Sequence, residues 1–295
     1  MRRFLVQCVC FLLPFLGLVS VAEAYMRHMP NSYRQKEEWM QAHASDVEVL
    51  ILGNSHGLFG LRPDCFPSRK VYNLCQVSQI FEYDDYLLRR YASKLTKLNC
   101  VILVADNSNL FDLPLEQTEW FRCIYYRLYM DYPKHSLWSK YGFELSNVQA
   151  AWKKFLEGTS YCDSLGWNYS YIKKNRSSDY FSEDVIKRQI QRHHCQDWVV
   201  ANQNMKKLKE IVNWCFEHQI KLLLVQAPVS RGYFKRIEKN QLQYIKELAL
   251  LPHVQVWDYS NDNRFNDDDF FDTDHLTDEG ARKWSEIVYR RLYAK

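Results

Sequence analysis

Three residues far apart in this chain could together carry out nucleophilic chemistry: Ser55 in the stretch VEVLILGNSHGLFG, and Asp272 and His275 in FFDTDHLTDEG. A serine hydroxyl is a poor nucleophile at neutral pH. It needs a base to take its proton, and the base needs an acceptor that orients it and stabilises the imidazolium. His275 supplies the base. Asp272 precedes it by three residues, a spacing that in a loop lets the carboxylate accept from one imidazole nitrogen while the other faces a crevice. Each residue also has a plainer role. Ser55 could cap the helix that follows it. Asp272 could belong, with Asp262, Asp267, Asp268, Asp269 and Asp274, to a solvated acidic loop or a weak calcium site, although no EF-hand spacing is present. Asp274 is an awkward orienting acid for its immediate neighbour, and His56, beside Ser55, reads as a supporting or packing residue.

These residues need elements to hold them. The apolar run from Val47 to Gly53 reads as a buried strand of a parallel sheet. Its carboxyl edge, where open α/β sheets place their ligand crevices, presents Ser55. Similar runs predict strands at residues 70–75, 100–105, 221–225 and 254–257, with helices at 79–95, 199–218 and 240–251. Thr277 is a good N-cap with Asp278 and Glu279 in the first turn of a last helix, so His275 falls in the loop before it. Alternating strands and helices predict an α/β fold with a parallel sheet of about five strands covered on both faces. Residues 110–196 are less regular. They read as an insertion over the carboxyl edge, helical near Asn147 to Leu156, and as a place for substrate selectivity.

The N-terminus carries a different signal. Arg2 and Arg3 precede the apolar run FLVQCVCFLLPFLGLVSVA, and no acidic residue appears before Glu23. Residues 1–24 are therefore an export signal. Ala22-Glu23-Ala24 fits a cleavage site, while the length of the run and the basic Arg27, Arg34 and Lys36 fit an uncleaved anchor. Residues 25–45 read as a linker ending in a short helix, and 46–295 as the main domain. The expected location is exported, either periplasmic or anchored in the inner membrane facing outward. Seven cysteines follow the apolar run, an odd number with no C-x-x-C or zinc pattern, which predicts buried thiols and at most one bridge or so. The net charge of +4 is mild and evenly spread, which argues against a nucleic-acid partner. No cofactor or metal is expected.

The strand ending in Gly53-Asn54-Ser55, with Asp272-Thr273-Asp274-His275-Leu276 and Gly280-Ala281 near the end, resembles the SGNH (GDSL-like) hydrolase superfamily. The resemblance implies a flavodoxin-like three-layer α/β/α sandwich and ester chemistry, with Ser55 as nucleophile, His275 as base and Asp272 orienting it. It also implies an oxyanion hole in which a glycine and an asparagine join the backbone N–H of Ser55. Here Ser78 stands where the glycine would be, and its backbone N–H can still donate. The usual Gly-x-Asn is replaced by Asp106-Asn107-Ser108-Asn109, with Asn107 the first choice of side-chain donor and Asn109 the reserve. The activity implied is that of a serine esterase or acyltransferase, removing or transferring an O-acetyl group on a carbohydrate. The partner is then an acylated carbohydrate or other small ester, with the membrane reached through the N-terminal segment if uncleaved. The alternative is a non-catalytic SGNH-fold binding or assembly factor in envelope polysaccharide biosynthesis.

Overall fold

The computed structural model describes residues 1–133, 142–157, 162–176, 178–193 and 198–293. The apolar runs form five strands: β1 (Val49–Gly53), β2 (Val71–Asn73), β3 (Cys100–Val104), β4 (Lys221–Gln226) and β5 (Val254–Asp258). All pair in parallel in the order β2-β1-β3-β4-β5, the flavodoxin-like order. β1 and β3 are buried along their whole length, as continuous Val, Leu and Ile runs require when both faces are covered. The edge strand β5 is only partly buried, matching its more polar sequence, with Gln255 and Asp258 exposed.

The helices are α1 (Arg2–His28), α2 (Ser32–His43), α3 (Ser55–Gly60), α4 (Phe81–Tyr91), α5 (Asn107–Phe111), α6 (Leu115–Thr118), α7 (Trp120–Met130), α8 (Val148–Glu157), α9 (Glu183–His193), α10 (Trp198–Glu217), α11 (Arg231–Ala249) and α12 (Asp278–Tyr293). α3 and α12 pack together on one side of the sheet, over a core that includes Ile51, Ile102, Leu223, Leu58, Trp284 and Val288. α4 packs against α10, and α11 against β5 and α5. The result is a three-layer α/β/α arrangement.

The chain divides into two compact units, Met1–Glu37 with Leu115–Tyr161, and Glu38–Pro114 with Cys162–Lys295. The expected single insertion at 110–196 is thus divided. Its first part joins the N-terminal segment around a small core of its own, with Tyr33 against Tyr125 and Tyr126, and Cys123 and Met130 buried. The linker expected at 25–45 is largely helical, made of the end of α1 and all of α2. α11 starts well before residue 240, because Ser230 caps it and Tyr233, Phe234 and Ile237 extend its buried face. Among the described residues all cysteines are free. α1 is the one helix among them long and apolar enough to cross a membrane.

Candidate active site

The site is built at the carboxyl edge of the sheet, within the second unit. β1 ends at Gly53, whose φ of +126° is closed to other residues, and a Cβ there would meet the Val104 carbonyl at 2.7 Å. That close approach lets the chain turn at once into α3. Asn54 caps this helix, accepting from the His56 N–H at 2.9 Å. Ser55, which could have been the cap, is instead the first helical residue with its side chain turned elsewhere.

Ser55 Oγ lies 2.9 Å from His275 Nε2, and His275 Nδ1 lies 3.0 Å from each carboxylate oxygen of Asp272. The loop holding the imidazole is tied down on itself. Asp272 also accepts the backbone N–H groups of Asp274 and His275, Phe271 N–H donates to the His275 carbonyl at 2.8 Å, and Phe270 bridges Leu276. Tyr171 stands edge-on to the imidazole, with Phe271 stacked on one side and Phe59 on the other. Burial pulls the His275 pKa down, but attraction to Asp272 and then to Asp274 outweighs it, so the group ends above the ordinary imidazole value.

His56 forms a second charged cluster beside this row. Its Nδ1 meets Asp106 at 2.6 Å and its Nε2 meets Asp274 at 3.2 Å. Burial opposes the imidazolium, yet Asp106 and then Asp274 hold the His56 pKa well above 6.5. Asp106 in turn accepts from the Ala227 N–H at 2.9 Å, linking the ends of β3 and β4. Asp274 lies 3.8 Å from His275 Nδ1, farther than Asp272, and is engaged by His56, Thr273 and Gln189. His56, Asp274 and His275 are close enough to share a cation, but each imidazole nitrogen already faces a carboxylate or the serine hydroxyl.

The expected oxyanion donors fare differently. Ser78 sits in the turn after β2 at φ +57°, the left-handed region that glycine enters freely, so a serine here holds a backbone shape that glycine favours. Asn109 is occupied: its side-chain oxygen accepts from the Asp106 N–H and from Asn54, and its amide donates to Asp112. Asn107 is buried with both side-chain polar atoms unpartnered. It borders a small cavity with Leu110, Phe111, Asn240 and Tyr244, and among the described residues no hydrogen bond joins it to Ser55 or His275. Sequence reasoning gave no role to Asp106, Tyr171 or Gln189. Only Asp106, directly after the third strand, stood at a position that marks a site.

Comparisons with known proteins add little to this geometry. A family model without a functional description matches residues 179–295, less than half of the chain. No curated protein matches. One solved structure, from Streptococcus pneumonia and named a "putative platelet activating factor", is similar over 94% of this chain and 98% of its own, at 10% identity and a TM-score of 0.45. A likeness of that size carries no argument about activity.

Proposed function

We propose that this chain is a serine hydrolase of the SGNH kind, forming an acyl-enzyme on Ser55. The observation that carries the reading is the unbroken row Ser55–His275–Asp272 at the carboxyl edge of the sheet. In the first step the Ser55 hydroxyl gives its proton to His275 Nε2 as its oxygen attacks an ester carbonyl. His275, held by Asp272 through Nδ1–H, returns that proton to the leaving alcohol. Water or an acceptor hydroxyl then attacks the acyl-enzyme with the roles of His275 reversed. The backbone N–H groups of Ser55 and Ser78 would stabilise the tetrahedral oxyanion. The unpartnered Asn107 amide is the third donor, provided it turns from its cavity towards Ser55.

The substrate class proposed is an O-acetylated carbohydrate, with transfer to a second sugar hydroxyl as the variant of hydrolysis. Half-buried Phe271, at the end of the Phe59–Tyr171–Phe271 stack beside His275, offers a flat apolar ring suited to packing against a sugar. The test is hydrolysis of 4-nitrophenyl acetate followed from pH 6 to pH 9, because the raised His275 must lose its proton before it can act as base. Turnover by the wild type and its loss in Ser55→Ala supports the reading. A second reading, a non-catalytic polysaccharide-binding factor, draws on the position of Asn107 away from Ser55. It predicts no turnover by the wild type together with retained binding of acetylated glycan.

A further inference from the structure

We infer that the first unit is a membrane-seated platform: α1 is retained as a spanning anchor, and α8 lies beside its C-terminal end in the headgroup region of the bilayer. This is independent of the ester chemistry. The last turns of α1 are joined to residues 142–157 by buried charged groups. Glu23, nine-tenths buried, accepts the backbone N–H groups of Glu144 and Leu145, each at 3.0 Å, and pairs with Arg27 at 2.6 Å. From the other side Lys154, also buried, donates to the Met26 carbonyl at 3.0 Å and to Glu144 at 2.7 Å. Cleavage after Ala24 would remove Glu23 and leave the backbone N–H groups of Glu144 and Leu145 without their acceptor in that contact, the first of them buried. A removed leader would have no reason to supply such an acceptor.

The outer side of the same contact is apolar. α8 turns Ala151 and Lys154 inward, while Val148, Trp152, Phe155 and Leu156 are exposed at 75%, 62%, 53% and 64%. An open groove of about 740 Å³ runs between Val148, Trp152 and Phe155 and the Leu18, Ala22 and Tyr25 side of α1, with Tyr25 edge-on to Phe155. So large an apolar surface on one short helix needs a cover. The bilayer is the occupant because the groove continues directly into the apolar sides of α1, none of whose membrane-crossing window is buried in the protein. At 1.5 Å per residue the 27 residues of α1 reach about 40 Å, beyond a hydrocarbon core of about 30 Å. Its last turns therefore emerge at headgroup depth, where Tyr25 and Trp152 are the residue types that favour the boundary. α8, amphipathic and with Lys153 exposed beside its apolar face, suits the same layer.

The test uses the full chain, with Cys8, Cys10 and Cys195 replaced by Ala, reconstituted into phosphatidylcholine–phosphatidylglycerol vesicles. Nitroxide labels are placed singly at Trp152→Cys, Phe155→Cys and Lys153→Cys. Labels at 152 and 155 should collide with oxygen at least several-fold more readily than with a water-soluble nickel chelate, and the label at 153 should show the opposite preference. The intact mass of the protein from membranes should include residues 1–24. Chelate access at 152 and 155 equal to that at 153 overturns the proposal, as does shielding of both positions from both reagents, the sign of a second copy of the chain in the groove. A mature protein beginning at Tyr25 overturns it equally.

Discussion

Replacing Asp84 by Asn should reverse the sign of a stability difference between acid and mildly alkaline pH. Asp84 is buried in the first turn of α4, where its carboxylate accepts from Gln79 Nε2 at 2.5 Å and from the Gly53 N–H. It thereby braces the glycine at the end of β1 and the residue following Ser78, one on each side of the proposed oxyanion hole. Burial pushes its pKa from 3.8 to about 7. The folded carboxyl thus holds its proton more tightly than the unfolded one. Folding carries no penalty below the unfolded value, a growing penalty as pH rises from there, and the full penalty above the folded value. At about 1.4 kcal/mol per pH unit, the whole interval is worth about 4 kcal/mol. Asn cannot ionise, but it offers only one acceptor to two donors, a loss of about 1–3 kcal/mol at every pH. Asp84→Asn should therefore be less stable than wild type at pH 4 and more stable at pH 8. The assay is urea unfolding of the two proteins in the same detergent at several pH values, where contributions from the other titrating groups cancel in the difference. A difference that stays constant from pH 4 to pH 8 would refute the reasoning.

Asp272→Asn should lower kcat for ester hydrolysis by about 10⁴ with KM little changed, because it removes the acceptor that fixes the imidazole tautomer; loss of less than tenfold would assign the orienting role elsewhere. His56→Gln breaks a buried cluster and should cost about 3 kcal/mol. Because the His56 pKa is raised on folding, its contribution is complete below pH 6.5 and lost as pH rises through the folded value, so the loss should be larger at pH 6 than at pH 10. In the wild type, kcat/KM should rise with pH through a midpoint above 6.5, since His275 must be neutral to accept the proton and its pKa is raised; a midpoint at or below 6.5 would contradict the paired arrangement. Ser78→Gly should keep activity and raise the unfolding midpoint slightly, by relieving about 1 kcal/mol of left-handed backbone cost; a lost activity would mean that the serine side chain itself works.

The sheet was legible because its strands are closed apolar runs ending in small or polar residues; Ser55 stood out at one such end and Asp272 and His275 in the loop before a capped last helix, and the structure brings the three side chains together. What the sequence hid was long-range. His56 gains its charge from Asp106 and Asp274, 50 and 218 positions away. The partition of residues 115–161 with the N-terminal helix depends on Glu23 meeting backbone more than a hundred positions further on. The early start of α11 was masked by a basic stretch whose exposed face hides Tyr233, Phe234 and Ile237. Asn107 and Asn109 have the same chemistry and near-identical position in sequence. Only the capping box that engages Asn109 and leaves the Asn107 amide unpartnered separates them.

The most direct measurement of the central proposal is reaction of the full chain with a fluorophosphonate at pH 8.5, followed by intact mass and peptide mapping. The account predicts one adduct, on Ser55, which disappears in Ser55→Ala and is slowed strongly in His275→Gln. An unmodified wild type under conditions that label a known serine esterase, or an adduct mapping to a different residue, would contradict it.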